Sequence, residues 1–436
     1  MNFPSFKSVE RSKHMDFSPT EYTEEQKAFA REVGEWLDAN IPADMVFPRD
    51  PVNMTPEQFK MRKELGRKVG QKGWLFPGFP VKYGGGGLDA AHTAIIRQEA
   101  SKRKVSLPPY HSPGGHLGAA AIMACATEEQ KLLHLPPIFR DGAATWELFT
   151  EPEAGSDEAN QQTNAIQAVR EDDYFIINGG KIFVGGLYPP PDRMLLLTRS
   201  DLNAPRHENL AMFMAPGDLP GITITPLDLF VPSPFGGVSG PTAGSADGVK
   251  YQVFFDDVKI HQRYLIGGDR DGWKAATATL EVEHGGGDDD ETGNRRMTAA
   301  LFNDTQPSFI VRRFLDQCKN NPDIAARIRE NPPLLESIID IYIDAQKERF
   351  FSLRNAGGQG GRYGGVHSQL FSKMASIRLI AAMAKVLGPY TMTSDEEWAS
   401  EEGLFEVGQR GALCLAPTGT PEVLKIVLSR ALAIGR

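Results

Sequence analysis

The sequence of 436 residues has little cysteine, no excess of positive charge and no long hydrophobic run. Its three cysteines are far apart, which excludes a disulfide framework and a clustered metal site of the CxxC type. The net charge of −9 argues against nucleic acid as the main partner. No apolar run approaches the ~18 residues of a membrane helix, and the N-terminus has no signal-peptide core. We therefore expect a cytoplasmic protein without membrane insertion.

Hydrophobic periodicity divides the chain into helices, a β-rich region and further helices. Thr23 and Gln26 form a capping-box pattern, and helical patterns recur over 56–70 and about 90–141. After Trp146, short apolar runs alternate with turns, which predicts an antiparallel β domain. These runs are 175–179, 193–200, 210–216, 221–227 and 251–260, and the glycine-rich stretch 235–248 is predicted to be a loop.

Helical periodicity returns from Gly272. Amphipathic helices are predicted over 334–354 and 370–387, with a glycine-rich joint at 355–365 between them. Thr420 is a natural N-cap, and Pro421 suits the first position of the last helix.

TEPEAGSD (150–157) is the most informative motif. By itself it is a strand end followed by a turn, and an ordinary loop explains it equally well. Its small residues would let the N–H groups of Gly155 and Ser156 approach an anion such as a pyrophosphate. DDYFIINGGKIFVGG (172–186), FFDDVKIHQRYLIGGDRDGW (254–273) and APTGTPEVLKIVLSRALAIGR (416–436) follow it. In order and spacing these segments resemble the acyl-CoA dehydrogenase family over roughly residues 20–436.

The resemblance implies an α+β fold in three domains, and FAD as cofactor. The expected division is a tail (1–20), an N-terminal helical domain (21–145), a middle antiparallel β domain (146–262) and a C-terminal four-helix bundle (263–436). By analogy with the family, four groups of residues would contact FAD: Phe149 and Thr150 at the flavin edge, Gly155 and Ser156 at the pyrophosphate, Phe183, Val184 and Gly185 in the strand flanking the flavin, and Thr420 and Glu422 at the last helix.

The sequence departs from the family pattern at the flavin strand and near the ADP half. Relatives usually have Trp at the position of Phe183, and often a hydroxyl residue near Val184. The usual Arg-x-x-Phe-Gly stretch is not visible after residue 286. The residues that hold the ADP half are therefore not identified.

The family's reaction needs a carboxylate to remove a proton α to a thioester carbonyl. Many relatives place this glutamate before the last helix, where this sequence has Thr418, whose hydroxyl is no base near neutral pH. A subset of the family carries the glutamate on an earlier helix, and in TLEVEHGG that position is Glu283. Glu281 is the alternative, but it would face another side of the helix. From the residues alone, a solvated helix glutamate followed by an acidic run is the better explanation of Glu283, and only the resemblance to the family favours a catalytic role.

The expected function is FAD-dependent α,β-dehydrogenation of an acyl-CoA, with electrons passed to an electron-transfer flavoprotein. LGPY (387–390) resembles the bacterial subgroup that acts on bulky, branched or ring-containing CoA thioesters. The expected assembly is a homotetramer or dimer, with a heterotetramer as an alternative.

Two alternative functions remain: a subunit of a heteromeric dehydrogenase with an incomplete site, and a flavin oxidase or monooxygenase. The histidines show no metal spacing, so no metal is expected. The resemblance would place His111 and His116 near a substrate channel, but a packing or loop role is the better explanation of both.

Overall fold

The computed structural model describes residues 22–45, 55–103, 105, 107–110, 112, 114–154, 157–159, 167–201, 203–227, 249–283, 309–356, 364–392, 405, 409 and 419–434. The helices before the sheet are α1 (Glu24–Asn40), α2 (Pro56–Gln71), α3 (Ala90–Lys102), α4 (Gly114–Cys125) and α5 (Glu128–Phe139). The strands are β1 (Thr145–Leu148), β2 (Gln167–Glu171), β3 (Tyr174–Gly186), β4 (Arg193–Arg199), β5 (Leu210–Ala215), β6 (Ile222–Pro226) and β7 (Val249–His261). The helices after the sheet are α6 (Gly272–Glu283), α7 (Phe309–Asn320), α8 (Pro322–Glu330), α9 (Pro332–Ala356), α10 (Gly364–Leu387) and α11 (Pro421–Ala431). This order of helices, strands and helices confirms the predicted fold class.

Side-chain caps define where several helices begin. The Thr23 hydroxyl accepts from the main-chain N–H of Gln26, whose side chain accepts from the N–H of Thr23, so the predicted capping box is present. The same exchange between Thr127 and Gln130 begins α5. Thr420 caps α11 by accepting from the Val423 N–H, with Pro421 in the first turn as predicted. These caps satisfy N–H groups that have no partner inside a helix.

The middle region is a mixed sheet with the order β1–β4–β2–β3–β7–β6, and β5 also pairs with β4. β1 and β2 run parallel to β4, so the predicted antiparallel domain also contains parallel pairs. β3 is longer than the predicted run 175–179. β2 was not among the predicted strands because four of its five residues are exposed, which leaves almost no apolar signal. The segment 235–248 lies outside the described residues.

β4 and β5 are buried on both faces. Leu195, Leu197 and Met212 pack with the N-terminal helices and with Ala275 and Ala276 of α6. Their neighbours Leu196 and Phe213 point to the opposite face, where they pack inside the sheet domain. Two buried faces explain why these strands are continuous apolar runs rather than alternating ones. The same packing fixes α6 against the sheet.

A separate core joins α7, α8, α9 and α10, and Phe314, Ile341 and Met383 are among its buried residues. α10 begins at Gly364, six residues before the predicted start at 370, so part of the glycine-rich segment is helical. The rest of that joint, 357–363, lies outside the described residues. In the described ranges, no helix has the length and apolarity that a bilayer crossing requires.

Candidate active site

A buried ion pair fixes the segment after β1 against β3. The Lys181 ammonium donates to Glu151 Oε1 at 2.8 Å and to the Phe149 carbonyl at 2.7 Å. Beside it, the Ile182 N–H donates to the Thr150 carbonyl at 2.9 Å. Burial lowers the pKa of Lys181, and the negative charge of Glu151 opposes that shift. Residues 149–151 therefore lie along β3 next to the predicted flavin strand.

Phe183 projects from a bulge in β3. The pairing with β7 shifts between Lys181 and Val184, so two residues of β3 face one residue of β7. Phe183 has a φ of 58°, in the left-handed region, and its side chain is 51% exposed. A left-handed conformation costs a residue other than glycine about 1–3 kcal/mol. The sheet thus holds one large aromatic ring away from its core at a conformational cost.

The three residues that follow Phe183 are buried, in contrast to Phe183 itself. Val184 is buried in the sheet core, and Gly185 and Gly186 are buried as well. A Cβ on Gly186 would lie 1.9 Å from Cε2 of Trp146, so only glycine allows this close approach. Val184 and Gly185 pair with Tyr251 and Lys250 of β7, while Phe183 offers an exposed side chain.

Glu283 is the last described residue of α6, and it is partly buried, whereas Glu281 is exposed. The Gln369 side-chain amide donates to the main-chain carbonyl of Glu283 at 2.9 Å, which ties the end of α6 to α10. The negative charge of Glu283 is close enough to raise the pKa of Glu158. Glu283 is therefore half-buried and Glu281 lies on the solvent side of α6, as the helical spacing predicts.

Glu158 is the most perturbed carboxyl group in this region. Desolvation raises its pKa to about 7, and Glu283, Glu151 and Asp157 contribute in the same direction, while Lys181 opposes the shift. The sequence did not single out Glu158, because a glutamate in a polar loop gives no signal until the loop is folded onto α6. Lys181 was also missed as a site residue, although it lies within the quoted motif DDYFIINGGKIFVGG.

The predicted pyrophosphate loop is connected to a second loop by charge. Asp157 accepts from both terminal nitrogens of Arg206, at 2.5 and 2.9 Å, and this pairing lowers the pKa of Asp157. Next to Arg206, the ring of His207 stacks on Trp273 at the start of α6, with centroids 4.4 Å apart. The end of the TEPEAGSD motif is therefore linked to α6 through residues 206–207.

The remaining predicted site residues are placed as follows. Gly155, Ser156, His111 and Thr418 lie outside the described residues, and His116 is exposed on α4. Thr420 caps α11, which packs on α10, and Glu422 is exposed in its first turn. The structure therefore places Phe149 and Thr150 beside the part of β3 that contains Phe183, Val184 and Gly185. At the last helix, Thr420 acts as the N-cap.

Two domains of a known protein family match just under half of the chain, in its N-terminal helical region and its middle β region. The acyl-CoA dehydrogenase N-terminal domain matches residues 23–141, and the acyl-CoA dehydrogenase middle domain matches residues 147–232. Residues 23–141 and 147–232 thus carry the N-terminal and middle domains of the acyl-CoA dehydrogenase family.

Curated relatives and solved structures agree with this assignment. The chain is 27% identical over 271 residues to the acyl-CoA dehydrogenase IpdE1 of Mycolicibacterium smegmatis, covering 60% of this chain and 65% of that protein. It is 27% identical over 264 residues to FadE29 of Mycobacterium tuberculosis, covering 60% and 61%. These matches span less than two thirds of the length of the relatives.

The fold extends over nearly the whole chain. The ChsE4–ChsE5 complex from Mycobacterium tuberculosis matches with a TM-score of 0.69 at 22% identity, over 96% of this chain and 100% of that chain. The Tcur3481–Tcur3483 steroid ACAD matches with a TM-score of 0.69 at 22% identity, over 97% and 100%. At this level of identity the likeness establishes the shared fold.

FAD is the cofactor of this family, and the region around Phe183 fits a flavin. An isoalloxazine ring needs a flat apolar wall and polar groups at its edge. Phe183 supplies an exposed aromatic face, 51% accessible, on the bulge between Lys181 and Val184. The partly buried Thr150 lies one residue from the Phe149 carbonyl that Lys181 fixes. These features belong to one stretch of surface beside β3.

Proposed function

We propose that this protein is an FAD-dependent acyl-CoA dehydrogenase in which Glu283 is the catalytic base. The observation that carries the proposal is a partly buried glutamate at the end of α6, whose main-chain carbonyl accepts from Gln369 of α10, in a chain whose N-terminal and middle domains belong to this family. Glu281 is exposed on the same helix, so its substitution serves as the control for the catalytic assignment of Glu283.

In this proposal Phe183, Val184 and Gly185 would form the strand that flanks the flavin, and Phe149 and Thr150 would meet the flavin edge. Gly155 and Ser156 would bind the pyrophosphate, and Thr420 and Glu422 would lie near the cofactor at the start of the last helix. FAD, when bound, supplies a two-electron acceptor for the hydride that leaves the β-carbon.

The chain's own contribution is the removal of a weakly acidic proton. Glu283 accepts the proton from the carbon next to the thioester carbonyl, and the electron pair of that C–H bond moves toward the carbonyl oxygen. Partial burial favours this step, because a desolvated carboxylate is a stronger base than a hydrated one. The Lys181–Glu151 pair keeps the segment 149–151 in place beside the reacting atoms.

The substrate class we propose is a bulky or ring-containing acyl-CoA. The likeness to a steroid ACAD and the LGPY segment at 387–390 support it. We further propose an electron-transfer flavoprotein as electron acceptor, a homomeric dimer or tetramer, and a cytoplasmic location, which the low cysteine content supports.

Anaerobic bleaching of the bound flavin tests this function. Purified protein should be yellow, with about one FAD per chain, and a panel of straight, branched, aromatic and alicyclic CoA thioesters should show which acyl group reduces it fastest. We expect alicyclic thioesters to bleach the flavin and short straight chains to react more slowly. Flavin-loaded protein that no CoA thioester bleaches would contradict the proposal, and rapid reoxidation in air with peroxide would indicate an oxidase instead.

A heteromeric subunit is the second candidate. Thr418 stands where many relatives have their base, and the ChsE4–ChsE5 neighbour is a complex of two different chains. This candidate predicts a colourless protein that gains flavin only when produced together with a second family member. Stoichiometric FAD in the protein produced alone would exclude it.

A further inference from the structure

One face of α6 is held in place by the N-terminal helices and the sheet, because the helix packs on α4 and β5. Ala275 and Ala276 are fully buried in that contact. The Thr279 hydroxyl donates to the Leu117 carbonyl of α4 at 3.2 Å. These contacts fix the helix up to Thr279, which lies one turn before Glu283.

The last described turn of α6 is reached by a side chain of α10. The Gln369 amide nitrogen donates to the main-chain carbonyl of Glu283 at 2.9 Å, across a separation of 86 residues in the sequence. Gln369 is half-buried, and its Oε1 is buried with no hydrogen-bond partner within the described residues. Only the nitrogen of a side-chain amide can donate to a carbonyl, so this contact sets the orientation of the Gln369 amide.

The position of the Glu283 side chain depends on this last turn, because its Cα and Cβ move with the main chain. A general base must lie within about 2.6–3.2 Å of the group whose proton it removes. A misplacement of about 1 Å can cost roughly 10²-fold in rate. α10 is itself anchored in the C-terminal core, where Leu379 and Met383 are buried. Gln369 therefore connects the main chain at Glu283 to a second rigid part of the molecule.

We propose that Gln369 is a positioning residue for Glu283: its amide holds the last turn of α6 against α10, so that the Glu283 carboxylate stays in place for proton removal. This inference rests on the proposed role of Glu283 as the base. Gln369 acts through the main chain of α6 and does not touch the reacting atoms. Loss of its amide should therefore slow proton removal and leave the binding of acyl-CoA and FAD unchanged.

Hydrogen exchange measured by mass spectrometry tests the contact without any flavin chemistry. Gln369→Met keeps the length of the side chain and removes the donor. The main-chain N–H groups of residues 280–283 should then exchange about two- to tenfold faster, the range expected for the loss of one hydrogen bond. Gln369→Asn keeps an amide on a side chain that is one carbon shorter, so it should lose the contact and show the same increase. Wild-type exchange in both variants would overturn the proposal.

Gln317 on α7 supplies the matched control. It is buried, and its Oε1 likewise has no hydrogen-bond partner in the described part of the chain. Gln317→Met should leave the exchange of residues 280–283 at the wild-type rate. If it accelerates their exchange as much as Gln369→Met does, the effect is a general loosening of the C-terminal helices and the proposal fails.

Anaerobic flavin reduction by an acyl-CoA tests the consequence for the reaction. At saturating acyl-CoA, Gln369→Met should reduce its flavin about two- to tenfold more slowly than wild type. Its FAD content and the acyl-CoA concentration that gives half of the maximal rate should keep their wild-type values. In a Glu283→Gln background, Gln369→Met should cause no further slowing, because its effect passes through the Glu283 carboxylate. An equal slowing in both backgrounds would overturn the proposal.

The two kinds of measurement separate this inference from the proposed function. A wild-type protein whose flavin no CoA thioester bleaches would contradict the proposed function, whatever the exchange rates of α6 are. A protein that is bleached, and that is slowed by Glu283→Gln but not by Gln369→Met, would contradict the role of Gln369 alone.

Discussion

Within this chain, the middle sheet buries its apolar residues more completely than the C-terminal helices do. Every residue of β5 is buried, and the pairing of Lys181 with Glu151 places even charged groups inside this region. On α9, by contrast, Leu335, Ile339, Tyr342 and Ile343 are exposed and lie on one face, at spacings of four, three and one. The sheet completes its core within the chain, whereas the helices leave an apolar face that fits the predicted oligomer.

The largest loss in the free energy of unfolding is expected for a variant that breaks the buried ion pair of the sheet region. Lys181→Met leaves Glu151 buried without its ammonium partner, and breaking a buried pair in this way costs about 3–5 kcal/mol. Urea unfolding should therefore show a large loss in the free energy of unfolding. The double variant Lys181→Met with Glu151→Leu removes both charges and should recover much of that loss; a double variant as unstable as the single one would contradict this account.

His134 on α5 should make the free energy of unfolding sensitive to acid. Desolvation lowers its pKa to about 4, with further lowering by Arg193 and Arg263, while a main-chain hydrogen bond with Arg263 opposes the shift. A base whose pKa is lowered on folding gives stability above its unfolded value of about 6.5 that is lost as the pH falls toward 4. The shift corresponds to roughly 3 kcal/mol.

The measurement is the free energy of unfolding between pH 7 and pH 4. The wild type should lose stability across this range, and His134→Gln should lose less. Equal losses in both proteins would show that His134 is not the group responsible.

A smaller loss in the free energy of unfolding is expected when the N-cap of the last helix is removed. The Thr420 hydroxyl accepts from the Val423 N–H, and replacing an N-cap threonine by alanine costs about 1 kcal/mol. Thr420→Ala should lower the free energy of unfolding by this amount, and Thr420→Ser should restore it. If the serine variant is as unstable as the alanine variant, the cap is not the reason.

The smallest effect on the chain's own stability is expected on the exposed face of α9. Ile339→Gln and Tyr342→Gln replace side chains that are 47% and 46% exposed, so the free energy of unfolding of the isolated chain should change by less than about 0.5 kcal/mol. Sedimentation should instead show a shift toward smaller assemblies. An unchanged assembly would mean that this face is not an oligomer contact.

The sequence predicted the features that depend on local pattern. The caps at Thr23 and Thr420 and the order of helices, strands and helices are confirmed, because capping and periodicity act over a few residues. The apolar runs of β4 and β5 were also found, although periodicity did not reveal that both of their faces are buried. The motifs identified the family, which the matched domains confirm.

The features that were missed depend on residues distant in the sequence. The parallel pairing of β1 with β4 joins segments about fifty residues apart, and no local pattern encodes it. The strained backbone at Phe183 arises from a bulge against β7. Glu158 acquires its environment only when β3, α6 and its own loop meet. The catalytic assignment of Glu283 and the cofactor contacts remain predictions.

The rate at which an acyl-CoA reduces the bound flavin under anaerobic conditions, measured by stopped flow in two single variants, tests the central claim most directly. Glu283→Gln should keep its FAD and lower this rate by about 10²–10⁴-fold, the usual contribution of a general base. Glu281→Gln, two residues away on the exposed side of α6, should react at close to the wild-type rate. A Glu283→Gln protein that reduces its flavin as fast as wild type would contradict the account.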